Sequence, residues 1–211
     1  MTFNCDCQTV ENQPYIVAII KLINCDNYDH YLIYSRTCNS STASFFYNMD
    51  NLVRVKIIKT GKITSCSNMF GQCKKLEDVD LSGLDTSECT NMRLMFYGCQ
   101  VLKSLNLRNF NTEKVTDMDG MFAGMYEIEI LDLGNFRTEK IKTIINMFSA
   151  CIKLKFLNIA NFSENTIIKP NAFSGCRSLE EVHISNPHND TIETLKFIGI
   201  EKSQDGIFKK S

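Results

Sequence analysis

The sequence predicts an α/β solenoid of about seven short repeats. A curved parallel sheet forms its concave face, and short α or 3-10 helices form the other. Three observations predict it. A unit of nearly fixed length recurs along the chain, an apolar set with helical spacing opens each unit, and a shorter alternating apolar set follows after a small turn.

The unit is clearest from Cys89 to Thr112. Cys89, Met92, Met95 and Phe96 recur at i, i+3, i+6 and i+7, which places them on one face of a helical turn or two. Gly98-Cys99 supplies a turn. Leu102-x-x-Leu105-x-Leu107 is too short for a helix and alternates at its end, so it reads as a strand. With the aromatic of each Met-Phe pair as anchor, Leu22, Phe46, Phe70, Phe96, Phe122, Phe148 and Phe173 follow one another in steps of 24 to 26 residues. The strand pattern starts six residues after each anchor.

The first repeat is atypical, as a capping repeat must be. Pro14 to Leu22 fits its helix by register, although the β-branched content favours a strand nearly as well. Its strand pattern is Tyr28-x-x-Tyr31-x-Ile33. In the second repeat Cys38 to Ser44 reads as a loop, followed by Leu52-x-x-Val55-x-Ile57. The third to sixth repeats are regular, with strand sets Leu76/Val79/Leu81, Leu102/Leu105/Leu107, Ile128/Leu131/Leu133 and Leu154/Leu157/Ile159. In the last repeat Lys169-Pro170 breaks the helix pattern before Leu179/Val182/Ile184. Ile192, Leu195 and Phe197 read as a half-repeat cap, and the polar stretch from Glu201 to Ser211 as a loose tail. The reading is therefore one domain over 1–211: atypical capping repeats over 1–44, regular repeats over 45–186, and a cap with tail over 187–211.

The recurring positions have separate physical roles. The inward strand residues stack from repeat to repeat and build one core. Phe110, Phe136 and Phe162, with Leu84, form an aromatic column below the strand exit. Thr86, Thr112 and Thr138 suit turn bonding and capping of the following helix.

Composition narrows the function classes. The 211 residues are 44% hydrophobic, enough for a substantial core, and the net charge of −1 leaves no electrostatic footprint for nucleic acid or an anionic membrane. No apolar run approaches a membrane span, and the first ten residues lack the basic and apolar regions of a signal peptide. Of ten cysteines, Cys73, Cys99, Cys151 and Cys176 share one repeat position, with Cys25 in a weaker copy. They read as buried free thiols. Cys66 and Cys89 lie among the helix-face apolar positions. Cys5, Cys7, Cys25 and Cys38 could pair as a capping disulfide or hold zinc, although no C-x-x-C pair supports the metal.

The phrases NFNTEKVTDMDGMFAGM and LNLRNFNTEKVTDMDGMF resemble the BspA-like leucine-rich repeats of bacterial and protist surface proteins. The repeats of Mycoplasma-type lipoproteins share the pattern. The resemblance covers about Asp50 to Ile184. It implies a leucine-rich-repeat solenoid, a role in adhesion or protein binding, and a place at a cell surface or outside the cell. This sequence departs from that family in showing no signal or anchor, which leaves a cytoplasmic location as the alternative.

No catalytic constellation stands out. His30, His183 and His188 sit in no nucleophile, zinc-protease or phosphate-loop context, and His183 reads as a solvent-facing neighbour of an inward pair. Asp80, Asn106, Asp132 and Asn158 share one strand column and read as a solvated or ligand-reading face. Of the three Asn-x-Ser/Thr sequons, Asn39, Asn161 and Asn189, Asn161 precedes a column aromatic. The expected function is non-catalytic protein binding or adhesion through the concave sheet, without cofactor or metal. The ligand would be a protein, such as a host or matrix surface protein, with no nucleic acid and no membrane insertion. The candidate binding residues are Ile130, Asp132, Phe156, Asn158, Asn106, Arg108, Asp80 and His183. Ile130 and Phe156 are the expected apolar centre, with the others as a polar rim. The alternatives are an intracellular scaffold or regulatory repeat protein and, with less support, a metal protein or small enzyme using the N-terminal cysteines.

Overall fold

The computed structural model describes residues 15–22, 32–37 and 43–210. Cys5, Cys7, Cys25, Cys38, His30, Asn39 and the Tyr28/Tyr31 pattern lie outside the described residues.

The described residues begin with antiparallel strands. The β-branched run forms β1 (Tyr15–Leu22), a strand and not the helix its register allowed. It pairs with β2 (Leu32–Thr37) on one side and with β3 (Leu52–Thr60) on the other, both antiparallel. Within β3, Leu52, Val55 and Ile57 are buried as expected. The strand β4 (Asp78–Asp80) then adds in parallel, with Val55 beside Val79.

The second sheet holds β5 (Ile130–Asp132), β7 (Phe156–Asn158) and β9 (Glu181–His183), all parallel. Between them in sequence, β6 (Thr143–Ile144) and β8 (Ile167–Ile168) make a separate two-stranded parallel sheet. Pro170 opens a 3-10 turn, Pro170–Phe173. The expected half-repeat cap is a true helix, α1 (Asn189–Phe197), with His188 Nδ1 accepting the Asp190 N–H at its start. The stretch read as a loose tail is a hairpin, β10 (Ile200–Gln204) with β11 (Ile207–Lys210). Its β11 pairs antiparallel with β9, and Ile200 and Phe208 are buried against the core.

The α/β solenoid with one continuous concave parallel sheet and helices behind it is thus overturned. There are three sheets among the described residues, and the two larger ones mix parallel and antiparallel pairs. Among the described residues no repeat turn is α-helical, and only the last, Pro170–Phe173, is a 3-10 helix. The reason is visible around Phe96. Met95, Tyr97 and Cys99 donate backbone N–H groups to Met92, Leu94 and Phe96, three residues back. The alternating N–H groups of Met92, Leu94, Phe96 and Gly98 instead leave the turn and bond to Asp117, Asp119, Met121 and Ala123 of the next repeat, at 2.8–3.0 Å. Leu94 (φ 56°) and Gly98 (φ 71°) are left-handed, which an α-helix does not admit. The i, i+3, i+6, i+7 spacing therefore encodes consecutive tight turns that bond across repeats.

The second departure is in the unit that looked clearest. No strand forms over Leu102, Leu105 and Leu107. Leu102 and Leu107 are buried, but Leu105 is only half-buried, contrary to its expected inward position. The backbone of 103–106 makes no hydrogen bond to either neighbouring repeat, so β4 and β5 both end as sheet edges.

Side-chain ladders hold the stack where the sheet does not. Phe46, Phe70, Phe96, Phe122, Phe148 and Phe173 stack with centroids 5.2–6.2 Å apart. Phe110 and Phe136 stack beside them at 6.2 Å. The buried threonines bridge repeats and do not cap helices. Thr86 Oγ1 donates to the Asn111 carbonyl and accepts the Asn111 N–H, and Thr112 does the same with Arg137.

Candidate functional site

The solvent face of β5–β7–β9 follows from strand alternation. Leu131, Leu157 and Val182 point inward and are fully buried. Their flanking residues therefore emerge on the opposite face. Parallel register sets Ile130, Phe156 and Glu181 side by side, and likewise Asp132, Asn158 and His183. Ile130 is 63% exposed, a large apolar side chain open to solvent. Phe156 is half-buried, and the His183 ring meets it edge-on at 4.8 Å.

The polar members are tied to one another. Asn158 Nδ2 donates to Asp132 Oδ1 at 2.8 Å. His183 Nε2 lies 2.5 Å from Glu181 Oε1, and Lys209 Nζ lies 3.1 Å from the other carboxylate oxygen. Bonding to His183, then to Lys209, holds the Glu181 carboxyl below its ordinary range. Beside Ile130 runs an open cleft of about 510 Å³ lined by Lys103, Ser104, Leu105, Glu127, Glu129 and Lys153. Its acids are paired, Glu127 with Lys153 at 2.7 Å and Glu129 with Lys155 at 2.8 Å. The bond from Lys155 lowers the Glu129 carboxyl and raises the lysine.

Of the eight expected site residues, five come together here: Ile130, Asp132, Phe156, Asn158 and His183. Asp80, Asn106 and Arg108 lie beyond the break in the sheet, around a separate cleft of about 340 Å³. Asp80 is also bonded to its own repeat. Ser82, through hydroxyl and N–H, and then Lys56 at 3.2 Å lower its carboxyl.

The Asp80/Asn106/Asp132/Asn158 column has a local structural role that sequence reasoning missed. Each side-chain oxygen accepts the N–H two residues on, at Ser82, Arg108, Gly134 and Ala160. These are Asx turns that bend the chain out of each strand position. A second missed column is Asn109, Asn135 and Asn161. Asn135 Nδ2 donates to the Leu107 and Phe110 carbonyls of the repeat before it, Asn109 to Leu81 and Leu84, and Asn161 to Gly134. The signal was present, since all three asparagines precede the second aromatic column.

Among the described residues no group of three or more histidines, cysteines or acids could hold a metal. No described helix is long and apolar enough to cross a membrane. Fold and site together define a protein of stacked, turn-linked repeats with an exposed mixed apolar and polar sheet face. The chain belongs to DUF285, the family described as Mycoplasma protein of unknown function, which matches residues 42–186. No curated protein and no solved structure matches it.

Proposed function

We propose that the chain is a non-catalytic protein-binding module of the adhesion kind, and that its binding surface is the exposed face of β5–β7–β9 centred on Ile130 and Phe156. The observation that supports this is Ile130, an isoleucine left 63% exposed on the edge strand β5 beside an open cleft. Apolar centres rimmed by polar groups are the usual anatomy of contact surfaces. Asp132, Asn158 and His183 supply the rim, pre-oriented by the bond from Asn158 to Asp132 and by that between His183 and Glu181. The proposed setting is a cell surface, on the resemblance of the repeat motif.

The test is selection of a displayed random-peptide library on the full chain, followed by rebinding to an Ile130→Ser, Phe156→Ser double variant. Selected peptides should lose at least about tenfold in affinity for the variant, equivalent to ~1.4 kcal/mol. Its circular dichroism spectrum should match that of the parent. Peptides that bind both proteins equally would place the binding surface elsewhere.

A further inference from the structure

Two adjacent core columns run through the repeat turns. Seven residues before Phe70, Phe96, Phe122 and Phe148 stand Ile63, Cys89, Val115 and Ile141, and four residues before them stand Cys66, Met92, Met118 and Ile144. All eight are buried. Each column accepts large aliphatic or Met side chains, yet each contains one cysteine, and these two cysteines meet.

The contact lies where the third repeat joins the fourth. Ser65 and Asn91 form a parallel bridge there. The Asn91 carbonyl accepts the Cys66 N–H at 2.8 Å and the Cys89 S–H at 3.3 Å. That shared carbonyl brings the two residues together, close enough for each thiol to shift the other's proton affinity. The repeat-position cysteines are arranged differently. Cys73, Cys99, Cys151 and Cys176 each donate S–H to the carbonyl of an anchoring Phe one repeat earlier, at 3.0–3.2 Å. Those four thiols are held by main chain.

We propose that Cys66 and Cys89 form a redox-modification site, which a small oxidant of the peroxide class converts into a reversible disulfide joining the third and fourth repeats. Cys89 attacks as thiolate. A sulfur–oxygen bond forms, the peroxide O–O bond breaks, and hydroxide leaves with the electron pair. The Cys66 sulfur then displaces the new hydroxyl from Cys89, its proton departing with that oxygen as water. In net terms two thiols and one hydrogen peroxide give one disulfide and two waters. The interaction between the neighbouring thiols divides the roles. It holds the Cys89 thiol below the ordinary value and, together with burial, pushes the Cys66 thiol well above it. Burial pushes the four repeat-position thiols up as well, which keeps them protonated and slow to react. Complete burial of both sulfurs selects for an oxidant little larger than water.

The test exposes the reduced full chain to hydrogen peroxide, blocks remaining thiols after denaturation, and maps peptides without reductant. The expected product is a linked Cys66–Cys89 peptide that reverts with dithiothreitol, while Cys73, Cys99, Cys151 and Cys176 stay alkylated. In Cys66→Met, which installs the residue its own column uses, brief peroxide exposure followed by denaturation in dimedone should trap more sulfenic acid at Cys89 than at any repeat-position cysteine. Absence of the linked peptide in the parent would overturn the proposal, as would equal dimedone labelling of Cys89 and the repeat-position cysteines.

Discussion

Ala150 has φ 58°, a left-handed backbone that costs an L-residue roughly 1–2 kcal/mol. It stands two residues after its anchoring Phe, and the same position holds Gly98, Gly124 and Gly175 in other repeats, all left-handed. Glycine loses about 0.4–1 kcal/mol more chain entropy on folding, which offsets part of the relief. Ala150→Gly should therefore raise stability by up to ~1 kcal/mol. A denaturant titration checks this, and a lower midpoint would mean that the Ala150 methyl packs usefully. Gly83 answers to a different constraint. A Cβ there would lie 2.3 Å from the Ile58 carbonyl oxygen, so the absence of a side chain is what lets two backbones meet. Gly83 and the left-handed Gly98 look alike in a sequence, because the letter G records neither φ nor a neighbour's carbonyl.

At the scale of elements, Leu105 and Leu131 occupy equivalent places in the repeat and have different environments. Leu131 is fully buried in β5, so Leu131→Ala should cost about 2–5 kcal/mol. Leu105 is half-buried beside an open cleft, where truncation loses less packing and leaves no closed void, so Leu105→Ala should cost about half as much or less. Paired equilibrium unfolding curves make the comparison, and equal losses would mean that 102–107 is as tightly packed as the true strands. The apolar set of each strand position was readable from spacing alone. Ladder formation was not, because hydrogen bonding between repeats depends on how neighbouring backbones align. The repeat turns taught the same lesson: a helix and a chain of i to i+3 turns share one apolar spacing. What separates them is the direction of each N–H, which no pattern of side chains states.

For the whole molecule, ion pairs and buried thiols set opposite limits on pH stability. Glu88 is lowered chiefly by Lys114, Glu129 by Lys155 and Glu181 by His183, and Asp80 and Asp85 are lowered by bonds to Ser82 and Ser87. A carboxyl lowered in the fold stabilises it above the unfolded value, and that gain is lost as pH falls through the folded one. Tm should therefore decline from about pH 4.5 downward, and the decline should weaken in high salt because these pairs are exposed. On the alkaline side burial pushes Cys73 up to about 11 and Cys176 up to about 12, with Cys99 raised as well. The unfolded chain gives up thiol protons from about pH 9 while the fold retains them, so stability falls as pH rises through that window. A Tm series across both limits tests the signs. A Tm that stays level from pH 9 to about 11 would refute the burial of these thiols.

By itself the sequence determined the repeat length, the anchoring Phe column, the inward residues of β3, β4, β5, β7 and β9, and the burial of Cys73, Cys99 and Cys151, though not the half-burial of Cys176 in the same column. It also placed Ile130 and Phe156 as neighbours on an outward face. All of these follow from periodicity, because a side chain's burial repeats when its position in the unit repeats. Only the tertiary structure decided that the repeat turns are not α-helices and that the sheet breaks at 103–106. The antiparallel strand and hairpin at the two ends, and the meeting of Cys66 with Cys89, were settled there too. Each depends on where a neighbouring segment presents its N–H, carbonyl or sulfur, a relation between distant residues that no single unit of the sequence contains.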